Sequence, residues 1–67
     1  MVNSEKIKQR ARELGIRQCD LADALGLQQS SVNLKINNLR PMTLNEAEII
    51  ANVLKIDDER FSAYFFA

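Results

Sequence analysis

The segment that decides the fold runs from residue 18 to residue 38 and reads QCDLADALGLQQSSVNLKINN. Two short apolar-periodic runs meet at a single glycine, Gly26, and the second passes into amides and hydroxyls with one charge, Lys35. At about 100° per residue, Leu21, Ala22 and Leu25 line one face of a helix over Gln18–Leu25, and Gly26 supplies the tight turn before Leu27. A helix over Gln29–Asn37 follows, with Val32, Ile36 and, by extension, Leu39 turned inward. Opposite them lie Ser30, Leu34, Asn37 and Asn38, with Asn33 at one flank and Ser31 and Lys35 toward the other. A single exposed leucine is commonplace. A leucine ringed by amides and hydroxyls, however, suits the DNA major groove, where Gln and Asn pair with adenine edges and an apolar side chain meets a thymine methyl.

On the N-terminal side, a helix is predicted over Glu5–Leu14, with Ser4 as N-cap, Ile7, Ala11 and Leu14 on one face, and Gly15 as its stop. Its basic residues form two rows, Lys6 with Arg10 and Lys8 with Arg12, on either side of the apolar stripe; a single partner meets only one of them. On the C-terminal side, Pro41 closes a loop and TLNE has the form of a capping box in which Thr43 caps and Glu46 reaches back, starting a helix over Leu44–Lys55. Ala47, Ile50, Ala51 and Leu54 share its inner face, while Ile49 and Val53 point elsewhere as an i, i+4 pair. After KIDDER, whose acids suit a helix start, FSAYFFA contains every aromatic residue of the chain. A fifth helix over Asp58–Tyr64 is predicted, with a terminal strand as the alternative. No other strand signal appears, so the fold class is all-α with short connections.

A chain of 67 residues makes one domain, 1–67. At this size only about 60% of the unfolded surface is buried, so a partner subunit would add stability. No apolar run approaches the ~18 residues of a membrane span, and no signal-like core opens the chain, so a cytoplasmic protein with no membrane partner is expected. One cysteine and no histidine exclude an internal disulfide, the usual zinc-ligand sets and His-dependent catalysis. Without a nucleophile–base pair, phosphate loop or metal set, neither an enzyme nor a cofactor or small-molecule ligand is expected, and Cys19 reads as a helix residue that happens to be a thiol. The formal net charge of zero counts against nucleic-acid binding. It hides an asymmetry: residues 1–40 carry seven Lys/Arg against four acids, and residues 41–67 two against five.

Two short helices hinged at Gly26, the second with an exposed polar face, match a helix-turn-helix unit. The segment QCDLADALGLQQSSVNLKINNLRPMTLNEAEIIANVL resembles the Cro-type and phage-repressor helix-turn-helix family of bacterial transcription regulators, and the likeness extends over about residues 4–66. In that family a Gln opens the second helix, an Ala follows four residues later, a Gly four beyond, and a Val or Ile six further on. Gln18, Ala22, Gly26 and Val32 fill those places. The resemblance implies a five-helix lambda-repressor-like domain with its helix-turn-helix at helices 2 and 3. It further implies a small phage or prophage Cro-like repressor that binds a palindromic double-stranded DNA operator as a weak homodimer in the bacterial cytoplasm, nucleoid-associated when bound. By position it assigns base contacts to Gln28, Gln29, Ser30, Asn33 and Leu34, and phosphate contacts to Gln18, Lys35, Asn37 and Arg40.

The chain departs from the pattern in places. Arg17 stands where a capping Thr is frequent; it cannot cap but can reach a phosphate. Gln28 stands where Ser or Thr often caps the recognition helix. No Arg or Lys occupies the middle of the reading face for the bidentate guanine contact, so a site read largely through A·T pairs is expected. The family's pairing implies a partner-facing patch, for which Ile49, Val53, Tyr64, Phe65 and Phe66 are the candidates; Phe61 and Phe65 can instead fold back into the subunit's core, Phe61 being the better placed. The acids Glu46, Glu48, Asp57, Asp58 and Glu59 are expected to point away from DNA. If the chain is complete, regulation comes from concentration and operator competition. The competing function is a protein-interaction module of the same fold, an antirepressor or antitoxin subunit, favoured by the neutral charge and the aromatic tail.

Overall fold

The computed structural model describes residues 1–66, in which five helices and no strand occur: α1 (Ser4–Leu14), α2 (Gln18–Leu25), α3 (Gln29–Ile36), α4 (Leu44–Val53) and α5 (Asp58–Phe65). The first four end by one device. A residue in the left-handed region follows each helix, Gly15 (φ 68°), Gly26 (φ 68°), Asn38 (φ 62°) and Lys55 (φ 55°). The next N–H then turns back to a carbonyl five residues earlier: Ile16 to Ala11 (2.8 Å), Leu27 to Ala22 (3.0 Å), Leu39 to Leu34 (2.9 Å) and Ile56 to Ala51 (2.9 Å). This closure satisfies carbonyls that a helix end would otherwise leave without donors. It also aims an apolar side chain back at the molecule: Ile56 is buried, and Ile16 and Leu27 pack on the core.

Leu39 is the exception, at 74% exposed. Its expected place beside Val32 and Ile36 is not taken, because the helix stops at Ile36 and the left-handed turn at Asn38 carries the chain away from the inward stripe. The Asn38 side chain explains why asparagine rather than glycine makes this turn. Its Oδ1 accepts the Val2 N–H at 2.9 Å and its Nδ2 donates to the Val2 carbonyl at 2.9 Å, so one amide pairs with both main-chain groups of one residue. The Asn3 N–H in turn donates to the Tyr64 carbonyl of α5 at 2.7 Å, and the Ser4 hydroxyl donates to the Ile36 carbonyl. The N-terminal segment thereby ties the end of α3 to α5.

Helix starts follow side-chain chemistry. Asn3, not Ser4, caps α1 by accepting the Lys6 N–H (3.2 Å), which frees Ser4 for its bond to Ile36. At α4 the capping box is complete: Thr43 Oγ1 accepts from Glu46 N–H (3.1 Å), and Glu46 Oε1 accepts from Thr43 N–H (2.9 Å). Asp57 caps α5 through the Arg60 N–H (2.9 Å), so the aromatic tail is a helix and extends to Phe65. Arg17 has no acceptor to offer α2, and only the return half of a box forms, with Asp20 Oδ2 accepting the Arg17 N–H at 2.8 Å.

The core gathers Ile7, Leu21, Ala22, Val32, Ile36, Ala47, Ile50, Ala51, Leu54, Ile56 and Phe65. Helix α2 packs on both α3 and α4, and α1 on α5. Phe65 is 4% exposed, which removes it from any partner-facing patch, whereas Phe61 is only half-buried and lies against it with ring centroids 4.7 Å apart. The reversal follows from α5 running one residue longer than predicted, which turns the ring of Phe65 under the Val2 segment and α4. No helix of the described residues is long and apolar enough to cross a membrane.

Asn38→Ala removes both bonds to Val2 and leaves a Cβ in the left-handed region, an expected loss of about 1–3 kcal/mol. For a chain of this size each ~1 kcal/mol lowers the melting temperature by about 4–8 °C. Asn38→Gly keeps the backbone and should lose less, and thermal unfolding ranks the three proteins. Because glycine is also relieved of the Cβ penalty of about 1 kcal/mol, melting of Asn38→Gly above the unsubstituted chain by that full amount would mean that the Val2 bonds contribute nothing.

Candidate nucleic-acid interface

Helix α3 has only two fully buried side chains, Val32 and Ile36, and polar bonds make up the difference on the same side. Lys35 Nζ reaches both carboxylate oxygens of Glu46 at 2.8 Å, with the two side chains only 13% and 17% exposed. Together with Ser4 on the Ile36 carbonyl and Asn38 on Val2, this ties α3 to the N-terminal segment, α1 and α4. Lys35 therefore does not stand ready for a phosphate, as its place in the family pattern implied. Glu46 both caps α4 and holds α3.

The opposite side of α3 is left open. Gln28, Gln29, Ser30 and Asn33 are exposed and Leu34 is half-exposed. Gln28 precedes the helix and makes no side-chain cap bond, so its amide is free. At the C-terminal end of this face, four side chains from three elements join. Lys8 Nζ donates to Asn37 Oδ1 (2.8 Å), Asn37 Nδ2 donates to the Asn33 carbonyl and to Asn33 Oδ1 (both 2.9 Å), and Gln18 Nε2 donates to Asn33 Oδ1 (3.3 Å). Gln18 and Asn37, candidates for phosphates, thus lie beside Asn33, a candidate for bases. Lys8 was not singled out as a site residue. Nothing local in the sequence marks it, because its partner stands 29 positions away.

The two basic rows of α1 separate in function. Arg10 donates through Nε to the Leu54 carbonyl (2.9 Å) and through Nη2 to the Lys55 carbonyl (3.2 Å), closing the end of α4 where the helix dipole favours a cation. Lys6 stands over the Tyr64 ring, 5.5 Å from its centroid. The other row, Lys8 and Arg12, borders a groove of about 240 Å³ with Ile16, Gln18 and Ile36, at the junction of α1, α2 and α3. Arg12 and Arg40 are exposed, and neither forms an ion pair among the described residues; exposed Arg17 makes only a loose pair with Asp20 at 3.6 Å. Such a pair contributes little in water and yields easily to a phosphate.

The five residues expected to face a partner do not form one surface. Phe65 is core, Val53 and Tyr64 lean on the core, and Ile49 is half-buried. At about 100° per residue, Ile49 and Val53 lie on the opposite flank of the α4 core stripe from Leu44 and Glu48. Phe66, 64% exposed, lies on the Leu44 side, in a groove with Glu48, Ala51, Ile56 and Phe61. Met1, Leu39 and Phe66 border a second groove, so the exposed large apolar side chains Met1, Leu39, Leu44 and Phe66 converge around Phe66.

The Lys35 hydrogen bonds and, next, the Thr43 N–H hold the Glu46 carboxyl below its ordinary 4.5, outweighing the burial that opposes them. A carboxyl with a depressed folded-state pKa stabilises fully above its unfolded value and ceases to do so as the pH falls through the folded value. Glu46 thus contributes at neutral pH, and the contribution fades in acid below about 4.5. Glu46→Gln leaves the Lys35 ammonium without a counter-charge and is expected to cost roughly 1–3 kcal/mol at neutral pH. Urea unfolding across the acid range should show a smaller loss of stability on acidification for the variant, and identical slopes would show that Glu46 does not drive it. No protein-family model matches the chain, and no solved structure matches it.

Proposed function

We propose that the chain is a sequence-specific double-stranded DNA-binding regulator that reads the major groove with α3, in the manner of the Cro-type repressors its sequence resembles. One observation carries the reading: α3 is bound to the molecule on one side, while the side bearing Gln28, Gln29, Ser30, Asn33 and Leu34 is left open and nearly free of charge. Uncharged amides suit base edges, and cations that suit phosphates are at hand: Arg12 and Lys8 on α1, Arg17 before α2, and Arg40, which follows α3 and borders the groove with Met1, Leu39 and Phe66. In this reading α2 and α3 are the helix-turn-helix, with Gly26 as its hinge. Lys35 takes no phosphate, being held by Glu46, and Arg12 replaces it. A palindromic operator would be met by two copies of the chain, which we place against each other through the apolar surface around Phe66.

Selection of bound duplexes from a randomised pool tests the reading. An enriched palindrome is expected, with affinity falling steeply with salt, by about 0.9 log unit per log unit of salt for each phosphate neutralised. Arg12→Ala and Arg40→Ala should each reduce that slope by about one while leaving the selected sequence unchanged, and Gln29→Ala should relax one position of it. Failure to enrich any sequence at low salt, with the chain folded, would sink the proposal. The exposed Leu44 and Phe66 favour a second reading, in which the same surface binds a different protein. Sedimentation separates the two. Phe66→Ser is expected to weaken self-association by about tenfold, on the scale of an interface anchor. Loss through Ile49→Lys instead would move the interface to the other flank of α4, and a monomer at every concentration would favour the second reading.

A further inference from the structure

The amide chain beneath the open face of α3 has a fixed direction. Its first member, the Lys8 ammonium, can only donate, so Asn37 must turn Oδ1 toward it, as observed at 2.8 Å. The other end of the Asn37 amide meets the Asn33 main-chain carbonyl at 2.9 Å, a group that can only accept, so that end must be Nδ2. Donor and acceptor thus orient Asn37 independently and in the same sense. Asn37 Nδ2 also faces the Asn33 side chain at 2.9 Å, which must present its oxygen there, and the same oxygen takes a second donor, Gln18 Nε2, at 3.3 Å. An amide oxygen has two lone pairs, and both are engaged. The Asn33 Nδ2 group finds no acceptor among the described residues, and Asn33 is exposed.

We infer that Asn33 is a donor-only reader, locked by the Lys8–Asn37–Gln18 chain, which selects guanine, or failing that thymine, at the base pair it meets and rejects cytosine. The inference rests on the DNA-reading role proposed for α3. The free asparagine pattern for adenine needs a carbonyl to accept from N6 and an amino group to donate to N7. Here the carbonyl is occupied from below, leaving two N–H groups and nothing to receive the N6 donor. Guanine offers two acceptors side by side, O6 and N7; thymine offers O4; cytosine offers only a donor at N4. Asn33 thus supplies the guanine contact for which the chain has no central Arg or Lys. Lys8, Asn37 and Gln18 act as positioning residues for it.

The test is selection from a randomised duplex pool with the unsubstituted chain and with Asn33→Asp, followed by competition titrations with all four base pairs at the position that changes. A carboxylate can still accept from Gln18 and Asn37 but turns an acceptor outward. The expected result is one position per half-site at which the unsubstituted chain prefers guanine or thymine by about tenfold or more and Asn33→Asp prefers cytosine or adenine. A melting curve verifies that the variant folds. If it does not, replacing the selected guanine by 7-deazaguanine, which lacks the N7 acceptor, must weaken binding of the unsubstituted chain several-fold, and indifference to that replacement overturns the inference. An Asn33-dependent position that is already adenine in the unsubstituted site, or no position that responds to Asn33, overturns the donor-only assignment and leaves the DNA-reading proposal standing. No enriched sequence at all overturns both.

Discussion

Helices of eight to eleven residues do not sustain themselves in water, because the cost of nucleating each is spread over too few hydrogen bonds. Every helix here falls in that range, so the molecule depends on how its helix ends are closed. Four consecutive ends use a left-handed residue and a returning N–H, which satisfies the terminal carbonyls and, in three of the four, folds an apolar side chain onto the core. Arg10 adds a cation to the end of α4, and Thr43, Asn3 and Asp57 accept the first free N–H groups of their helices. The small core gains in effect, since each closure both ends a helix and adds a contact to the interior.

Helix α3 is held by more than its two buried side chains. Two buried side chains would hold it weakly, and what holds it in addition is polar: the Lys35–Glu46 pair, the Ser4 hydroxyl on the Ile36 carbonyl, Asn38 on Val2, and Lys8 on Asn37. All four reach it from the interior side or from its C-terminal end. A helix fastened in this way leaves Gln28, Gln29 and Ser30 free of structural duty, as the proposed function requires. The same fastening draws on α1, α4 and the N-terminal segment, so a change far from α3 in the sequence can alter how it is presented.

What could be read from the sequence was what local chemistry determines. Gly15 and Gly26 mark turns because only glycine adopts them cheaply, and TLNE marks a helix start because its four residues satisfy one another. Asn38 and Lys55 were not legible as stops. A non-glycine residue is left-handed only when its surroundings require it, and for Asn38 the requirement comes from Val2, 36 positions away. For the same reason sequence periodicity carries Leu39 onto the core stripe and favours Phe61 over Phe65: burial depends on the last turn of a helix, whose end no local pattern marks. The split of the α1 cations was visible as geometry. Which row faced inward depended on Leu54 and Tyr64, whose positions no local pattern reveals.

The neutral total charge bears on the proposed function less than it first appears. At physiological ionic strength a charge is felt over about 8 Å, and the molecule measures 29 × 24 × 19 Å. A phosphate at the open face of α3 would therefore sense the cations nearest it, Lys8 and Arg12 beside Gln18 among them, and be largely screened from acids on distant elements. Of the acids on the elements around α3, Glu46 is paired with Lys35 and Asp20 loosely with Arg17, so each pair largely cancels at short range. Glu48, Asp57, Asp58 and Glu59 belong to α4 and the start of α5, where Asp57 to Glu59 also stabilise the N-terminus of α5, and Glu13 lies within 3.7 Å of Arg10. Overall neutrality and a locally basic rim are thus compatible in one small chain. Under the proposed function, a partner drawn by charge would meet this molecule with the uncharged amides of α3 in the contact.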